Sequence, residues 1–384
     1  MRKKVCIGDL GTIVTGNTPP RNRPELYGNH TPFIKATDIS ESEKYTYNPE
    51  ECYSEEGYNK YIKSLIPKGS TCVVTIGSIG KKMTMAHCDL FINQAMNAII
   101  PNACFDSEYV YYAVKNVLGN IKTLDSGTAS GRENVSKSAF SKMEIWVEEE
   151  LPIQHRIATI LSRYDSLIEN YQKQIKLLEE SAQRLYKEWF IDLRFPGHEN
   201  TKIVDGVPEG WEKKKVGDLI SKVLRTKQVS ANNYLNSGCI PVIDQSRNYI
   251  AGYTNDIESL VEVNIPYIVF GDHTRVLKYV PFSFAKGADG TQLIMSNDLE
   301  RMPQSLFYNS LIEIDLSNYS YARHFKYLKE ESILVPSKAI AQKYDKVVSQ
   351  YFQSIQKSRG QIHHLTEARD RLLPKLMSGE IEFN

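Results

Sequence analysis

The residues best suited to chemistry in this 384-residue chain sit in a few short segments rich in glycine and basic side chains. The first is Gly77-Ser78-Ile79-Gly80-Lys81-Lys82. Glycines followed by lysine are the parts of a phosphate-binding loop, whose backbone N–H groups cradle an anion. The glycines here stand too close together, and Lys82 occupies the place where Ser or Thr would hold magnesium. The segment reads as a turn inside a β-rich unit. Asn17-Thr18-Pro19-Pro20 is not the N-P-P-aromatic motif of amino-methyltransferases, because Thr18 interrupts it and Arg21 replaces the aromatic. It reads as a proline-stiffened loop. Asp272 and His273 are adjacent in Gly271-Asp272-His273-Thr274-Arg275, but a catalytic pair needs a nucleophile and an orienting third group. A tight turn presenting His273 and Arg275 outward is the plainer reading. His363 and His364 are consecutive, whereas metal ligands on one helix face favour i, i+4 spacing. No G-x-G-x-x-G, H-E-x-x-H or G-x-S-x-G occurs. The cysteines (Cys6, Cys52, Cys72, Cys88, Cys104 and Cys239) include no C-x-x-C pair. This favours reduced thiols over a zinc site or a secreted disulfide framework.

What remains suits binding. Three loops mix Arg, Lys, Asn, Gln, Ser and Thr: residues 125–137 (DSGTASGRENVSK), 244–248 (DQSRN) and 318–326 (NYSYARHFK). Such side chains read base edges and hold phosphates. The formal charge is only +1, so bulk attraction to a polyanion is excluded and nucleic-acid binding would require charges sorted onto one face.

The elements that would position these loops are the clearest part of the chain. Residues 151–190 form one long helix, about 55 Å at ~1.5 Å per residue. Its seam runs Ile157, Leu161, Tyr164, Ile168, Tyr171, Ile175, Leu178, Ala182, Leu185 and Trp189, at 4-3-4-3 spacing. A sustained heptad seam buries against another helix. The same register shifted by 187 residues gives a second helix over roughly 339–377. Its seam is Tyr344, Val348, Tyr351, Ile355, Ser358, Ile362, Leu365, Arg369, Leu372 and Leu376. Gly360 predicts a weakened turn there, and Pro374 a kink or early end. The repeat extends outside the helices. Val5-x-x-Gly8-Asp9-Leu10 recurs as Val216-Gly217-Asp218-Leu219, and Ile66-Pro67 and Ile265-Pro266 each open a β-rich run. A short helix is expected at Ser107–Leu118, N-capped by Asp106 or Ser107 and C-capped by Gly119.

The plan is globule–helix–globule–helix in an α+β chain. The expected boundaries are 1–150 for the first globule and 151–191 for the central helix. Linker and second globule take 192–338, and the C-terminal helix takes 339–384. Ordinary composition, 41% hydrophobic and 24% charged, fits two or three folded domains. Gly8 and Asp9 interrupt the apolar stretch after the basic start, and no run approaches a membrane span, so a cytoplasmic location is expected.

The chain resembles the specificity subunit of type I restriction-modification systems, over essentially its whole length. I-x-x-R-I-A-x-I-L-x-x-x-D-x-L-I-E, from Ile153, is similar to that family's central helix. Gly77–Lys81 with Asn93-Gln94 and Ala98–Pro101 resembles a first target-recognition domain. Gly271–Arg275 with Phe284–Gly290 resembles another version of it, and Arg371–Ile381 resembles the closing motif. The resemblance implies a non-catalytic DNA reader with two target-recognition domains, each reading half of a bipartite asymmetric site in double-stranded DNA. The two helices would run antiparallel as a coiled coil, set the unread spacer and dock two methyltransferase subunits. Nuclease–translocase subunits would complete an adenine-N6 methyltransferase and ATP-dependent endonuclease. AdoMet, ATP and magnesium would belong to those partners, with no cofactor or metal in this chain. The residues expected to meet DNA are Lys81, Arg132, Asn134 and Lys137 in the first domain. In the second they are Arg247, His273, Arg275, Arg323 and His324. The alternative is a coiled-coil adaptor with two protein-binding heads and no DNA role, which explains the seam but not the paired polar loops.

Overall fold

A computed structural model describes residues 2–125, 133–223, 226–288, 290–319 and 323–381. The chain folds into two compact units, Met1–Gln172 with Gly360–Asn384, and Lys173–Arg359.

In chain order the first unit carries strands β1 (Arg2–Cys6), β2 (Gly11–Thr15), β3 (Thr31–Ile34), β4 (Thr71–Val74), β5 (Met83–Met85), β6 (Phe91–Ile92) and β7 (Met96–Pro101). Helices α1 (Ser107–Asn116) and α2 (Lys137–Lys142), strand β8 (Glu144–Glu148) and the start of helix α3 (Leu151–Tyr186) follow. Strands β2-β7-β4-β5 form an antiparallel sheet, β3 lies parallel to β6, and β1 pairs with β8. β4 is Thr-Cys-Val-Val, buried at every position, as expected of a strand covered on both faces. Asp106 caps α1 by accepting from the Tyr109 N–H at 2.8 Å. The helix ends at Asn116 and tightens into a 3₁₀ segment, Leu118–Leu124, so Gly119 lies inside that segment and is not its cap.

The second unit repeats the design. β9 (Glu212–Lys215) leads to β10 (Ile240–Ile243), β11 (Tyr267–Gly271), β12 (Leu277–Val280), β13 (Phe284–Lys286) and β14 (Thr291–Ile294). Helices α4 (Gln304–Ile312) and α5 (His324–Glu330), strand β15 (Ser332–Val335) and helix α6 (Lys338–Ser378) complete the chain. Antiparallel order β12-β11-β14 answers β5-β4-β7, β10 lies parallel to β13 as β3 does to β6, and β9 pairs with β15 as β1 does with β8. The repeated Gly-Asp-Leu motif makes the same turn twice. Ile7–Leu10 and Val216–Leu219 each follow the first strand and bury their two apolar ends.

The long helices run antiparallel within each unit. In the first, Ile157 and Leu161 of α3 share a core with Leu373, Leu376 and Met377 of α6, while Asp165 meets Arg369. In the second, the Gln174 side chain accepts from Ser358 at 3.3 Å, and the Ala182 carbonyl accepts from the Tyr344 hydroxyl at 3.2 Å. Of the seam positions, Ile157, Leu161, Ile168, Ala182, Tyr344, Val348, Ile355, Ser358, Arg369 and Leu376 are buried. Tyr164, Tyr171, Ile175, Leu178, Leu185, Trp189, Tyr351, Ile362, Leu365 and Leu372 are half-buried.

Two expectations for these helices fail. α6 runs unbroken through Gly360 and Pro374. Pro374 is exposed, and its neighbours Leu373, Leu376 and Met377 are buried in the core, so packing holds the last turn despite the missing N–H. α3 ends in a wider π turn, Lys187–Ile191, that buries Phe190 against Tyr344 and Trp211.

Candidate nucleic-acid interface

At one end of the second unit, three loops lock into one another. The Gly287 N–H donates to the Ile243 carbonyl at 2.8 Å, tying the end of β13 to the end of β10. The Gln245 side-chain oxygen accepts from the His273 N–H at 3.1 Å, and its carbonyl accepts from the Thr274 hydroxyl at 2.6 Å. The Asp272 N–H donates to the Gly290 carbonyl at 2.7 Å. Gly290 has φ +76°, and a Cβ there would lie 2.7 Å from the His273 ring, so only glycine fits the turn. Arg247, Asn248, His273, Thr274 and Arg275, all exposed, therefore stand on one interlocked frame.

A buried lysine sets the first of these loops. The Lys278 ammonium donates to the carbonyls of Asp244, at 2.8 Å, and Asn248, at 2.5 Å, bracketing Arg247. The Asp244 carboxylate stands 3.8 Å away. Burial pulls this lysine down to about 8, against the opposing pull of Asp244. In the first unit a lysine two register positions earlier does comparable work: the half-buried Lys82 donates to the Ala36 carbonyl at 3.3 Å, behind β3. The Asn93 N–H meets the Ile34 carbonyl at 3.1 Å, as Gly287 does Ile243. The Gly77–Lys82 turn is braced from the other side, where the Gly77 N–H donates to the Glu133 carbonyl at 3.0 Å and Ile76 bridges Asn134.

The residues expected to meet DNA divide clearly on this frame. Arg247, His273 and Arg275 are exposed on the interlocked loops. Arg275 adopts φ +62° and donates to the Leu316 carbonyl at 3.1 Å, which fixes its guanidinium. Arg323 is exposed at the N-terminus of α5. His324 is placed differently. It is buried, and its ring lies between two backbone carbonyls, Nδ1 2.8 Å from Asp272 and Nε2 3.0 Å from Tyr319. It is a strut behind the 272–276 turn, and both ring nitrogens are engaged away from any ligand. In the first unit Lys81 and Lys137 are exposed, Asn134 is half-buried, and Arg132 lies outside the described residues.

Sequence reading missed Lys278, Lys82 and Gln245. One signal was available: alternation in Leu277-Lys278-Tyr279-Val280 puts Lys278 on the inward face with Val280. It also missed Asp165, which flanks the seam one turn after Leu161. Asp165 is buried, ion-paired with the equally buried Arg369, and accepts from the Tyr112 hydroxyl of α1. Arg369 is thus a partnered charge in the helix seam, and through Tyr112 the pair ties that seam to the first unit's globule. Among the described residues, no group of three or more His, Cys, Asp or Glu could hold a metal ion, and no helix is long and apolar enough to cross a membrane.

Residues 2–180 match the family model of the type I restriction modification DNA specificity domain. The chain is 28% identical to the type I restriction enzyme MjaIX specificity subunit of Methanocaldococcus jannaschii, over 98% of this chain and 92% of that one. This chain carries a type I DNA specificity domain over residues 2–180 and is similar along its length to type I specificity subunits. A second specificity subunit, that of the HindI enzyme of Haemophilus influenzae, is 34% identical over 36% of this chain and 30% of its own. The fold is that of the type I restriction-modification S subunit from M. genitalium, with a TM-score of 0.58 at 18% identity, covering 98% of this chain and 96% of that one. As a specificity subunit the chain is a DNA-binding, non-catalytic component that works in assembly with other subunits.

Proposed function

We propose that each unit reads one half of a bipartite, asymmetric site in double-stranded DNA. The observation that carries this reading is the repetition of one loop scaffold in both units. A strand end is tied to its parallel neighbour, and a lysine is pinned on the loop that follows, at Lys82–Ala36 and again at Lys278–Asp244. Loops held so rigidly can present base-reading side chains at low entropic cost. In the second unit Arg247, His273, Arg275 and Arg323 meet DNA; in the first, Lys81, Arg132, Asn134 and Lys137 do so. Residues 1–150 form the first target-recognition domain and 192–338 the second, with linkers at their borders. Helices 151–191 and 339–384 set the unread spacer, because a stiff pair converts protein length into base-pair spacing. The same pair docks two methyltransferase subunits, and nuclease–translocase subunits complete the complex. AdoMet, ATP and magnesium act on those partners, in the cytoplasm.

Modification-sensitive long-read sequencing tests this in a host without adenine methylation. The chain and its methyltransferase subunit are expressed together and singly. A split methylated motif appearing only with both is the expected result, and exchanging residues 1–150 for another family member's changes one half only. No methylation from a folded, co-purifying pair overturns the reading in favour of a protein adaptor.

A further inference from the structure

The two units differ at one position where the fold itself asks for no difference. In the first, Ile92 ends β6 opposite Ile34, is 1% exposed and belongs to the core. The equivalent residue in the second is Lys286, which ends β13 opposite Ile243. Equivalence is fixed by hydrogen bonds: the next residue, Asn93 or Gly287, donates to the Ile34 or Ile243 carbonyl. The Ile92 and Lys286 carbonyls in turn accept from Asn17 and Val229.

The neighbouring chain differs as well. In the first unit Gly16 donates to Met96 and Asn17, next in sequence, donates to Ile92. Gly16 packs so closely that a Cβ would lie 2.2 Å from the Ile92 and Asn93 carbonyl oxygens, and no space remains. In the second unit Ser221 donates to Met295 at the position that Thr12 takes opposite Ile100, since Leu219 and Leu10 each accept from an asparagine N–H, and the bond to the Lys286 carbonyl comes from Val229. Ser221 and Val229 stand eight positions apart where Thr12 and Asn17 stand five apart, so the second unit has three extra residues here. A cleft of about 450 Å³ lies beside Lys286, lined also by Thr226, Gln228, Gln292 and Phe325.

The cleft contains unused polar groups. Lys286 has no ion-pair or side-chain hydrogen-bond partner among the described residues, and burial lowers its pKa. The Thr226 hydroxyl oxygen is buried without a partner. The cleft adjoins the DNA-facing loops through both strands: Lys286 precedes Gly287, and Gln292 pairs with Phe270 beside Gly271. A half-buried ammonium with no counter-charge weakens a fold and is a ready site for an anion.

We propose that Lys286, with the Thr226 hydroxyl, holds one phosphate of the DNA backbone, giving the second unit an anchor that the first unit lacks. The inference rests on the reading of the second unit as a DNA reader. Lys286 is then a positioning contact that carries no base information.

The test uses the full chain in its methyltransferase complex, with duplexes carrying or lacking the recognised motif. Lys286→Gln is expected to weaken binding to both duplexes alike, about fivefold at low salt. It should also lower the slope of log K against log [salt] by ~0.9, the value for one released phosphate contact. The methylated motif stays unchanged, and Lys286→Arg retains most of the affinity. Lys286→Ile, which installs the first unit's residue, is expected to raise the melting temperature while weakening DNA binding. A merely structural lysine predicts the opposite sign for that melting shift. An unchanged salt slope, a changed motif or a destabilised Lys286→Ile variant overturns the proposal. Arg247→Ala run in parallel separates the two ideas. If it too leaves binding and motif untouched, the DNA-reading role fails; if it alone has an effect, only the cleft assignment fails.

Discussion

Lys278→Met should leave stability nearly unchanged and loosen the reading of one half-site. The lysine donates to two carbonyls, at 2.8 and 2.5 Å, across the loop that carries Arg247. Burial holds it at about 8 against an unperturbed 10.5, so the site resists its charge by about 3 kcal/mol at neutral pH. Replacing it with a methionine of similar length removes that cost. The same change leaves the Asp244 and Asn248 carbonyls without their donor, at ~1–3 kcal/mol each where water does not replace it. The two effects oppose, and the net change in stability stays within about 2 kcal/mol. The loop, however, loses the strut that sets where Arg247 points. Each base read through it carries about 1–3 kcal/mol of discrimination. Competition binding of the assembled complex should show roughly tenfold weaker discrimination against mismatches in the half read by the second unit. The other half serves as internal control, and Lys82→Met should reverse the pattern. A Lys278→Met protein that melts normally and still discriminates fully at both halves refutes the reasoning. So does equal loss at both.

The buried Asp165–Arg369 pair gives a stability prediction of the opposite kind. Arg369→Met strands the Asp165 carboxylate and should cost ~3–5 kcal/mol, whereas Asp165→Leu/Arg369→Met should recover most of it, read by calorimetry of the transition that includes the first unit. Alkaline pH offers another check. Burial, reinforced by Arg369, pulls Lys115 down to about 8, and Lys278 stands at about 8 as well. Between that value and 10.5 the unfolded chain binds more protons than the folded one, so stability should rise as pH rises through 8. The rise should slow near pH 10, where the phenols of Tyr111 and Tyr112, which burial raises far above their usual range, begin to favour the folded state less. Lys115→Met and Lys278→Met together should flatten the rise; if melting temperature falls steadily from pH 7 to 9.5 in the parent chain, the assignment of these lysines is wrong.

Periodicity made the helices legible, because a seam of ten apolar positions repeats a geometric constraint many times over. Their polar exceptions were legible only as defects. Ser358 and Arg369 look like flaws in a list of seam residues, and become partnered groups once Gln174, Asp165 and Tyr112 are seen beside them. No local pattern places Tyr112 there, since it comes from a different element. The β-rich globules were harder for the same reason: β3 pairs in parallel with β6, far along the chain, and nothing in either strand names its partner. At the candidate interface, glycine-rich turns and basic loops marked the right segments, but exposure could not be read from them. His324 sits in a loop-like, basic stretch and is nonetheless buried between two carbonyls, while its neighbour Arg323 is exposed.

The repeat also supplies its own control. Where the two units agree, as at the paired strand ends, the shared feature is what the scaffold requires to hold its loops. Where they differ at one register position, the difference is free to serve recognition. Ile92 and Lys286 are such a pair, and so are Gly77–Lys82 and Asp272–Val276, turns between corresponding strands with different side chains. A fold that keeps its hydrogen-bond frame and varies what projects from it can change one half-site without disturbing the other. Exchanging the 272–276 turn alone should therefore alter base preference without unfolding the unit, provided that Gly271, Gly290 and the Gln245 bonds to His273 and Thr274 are kept.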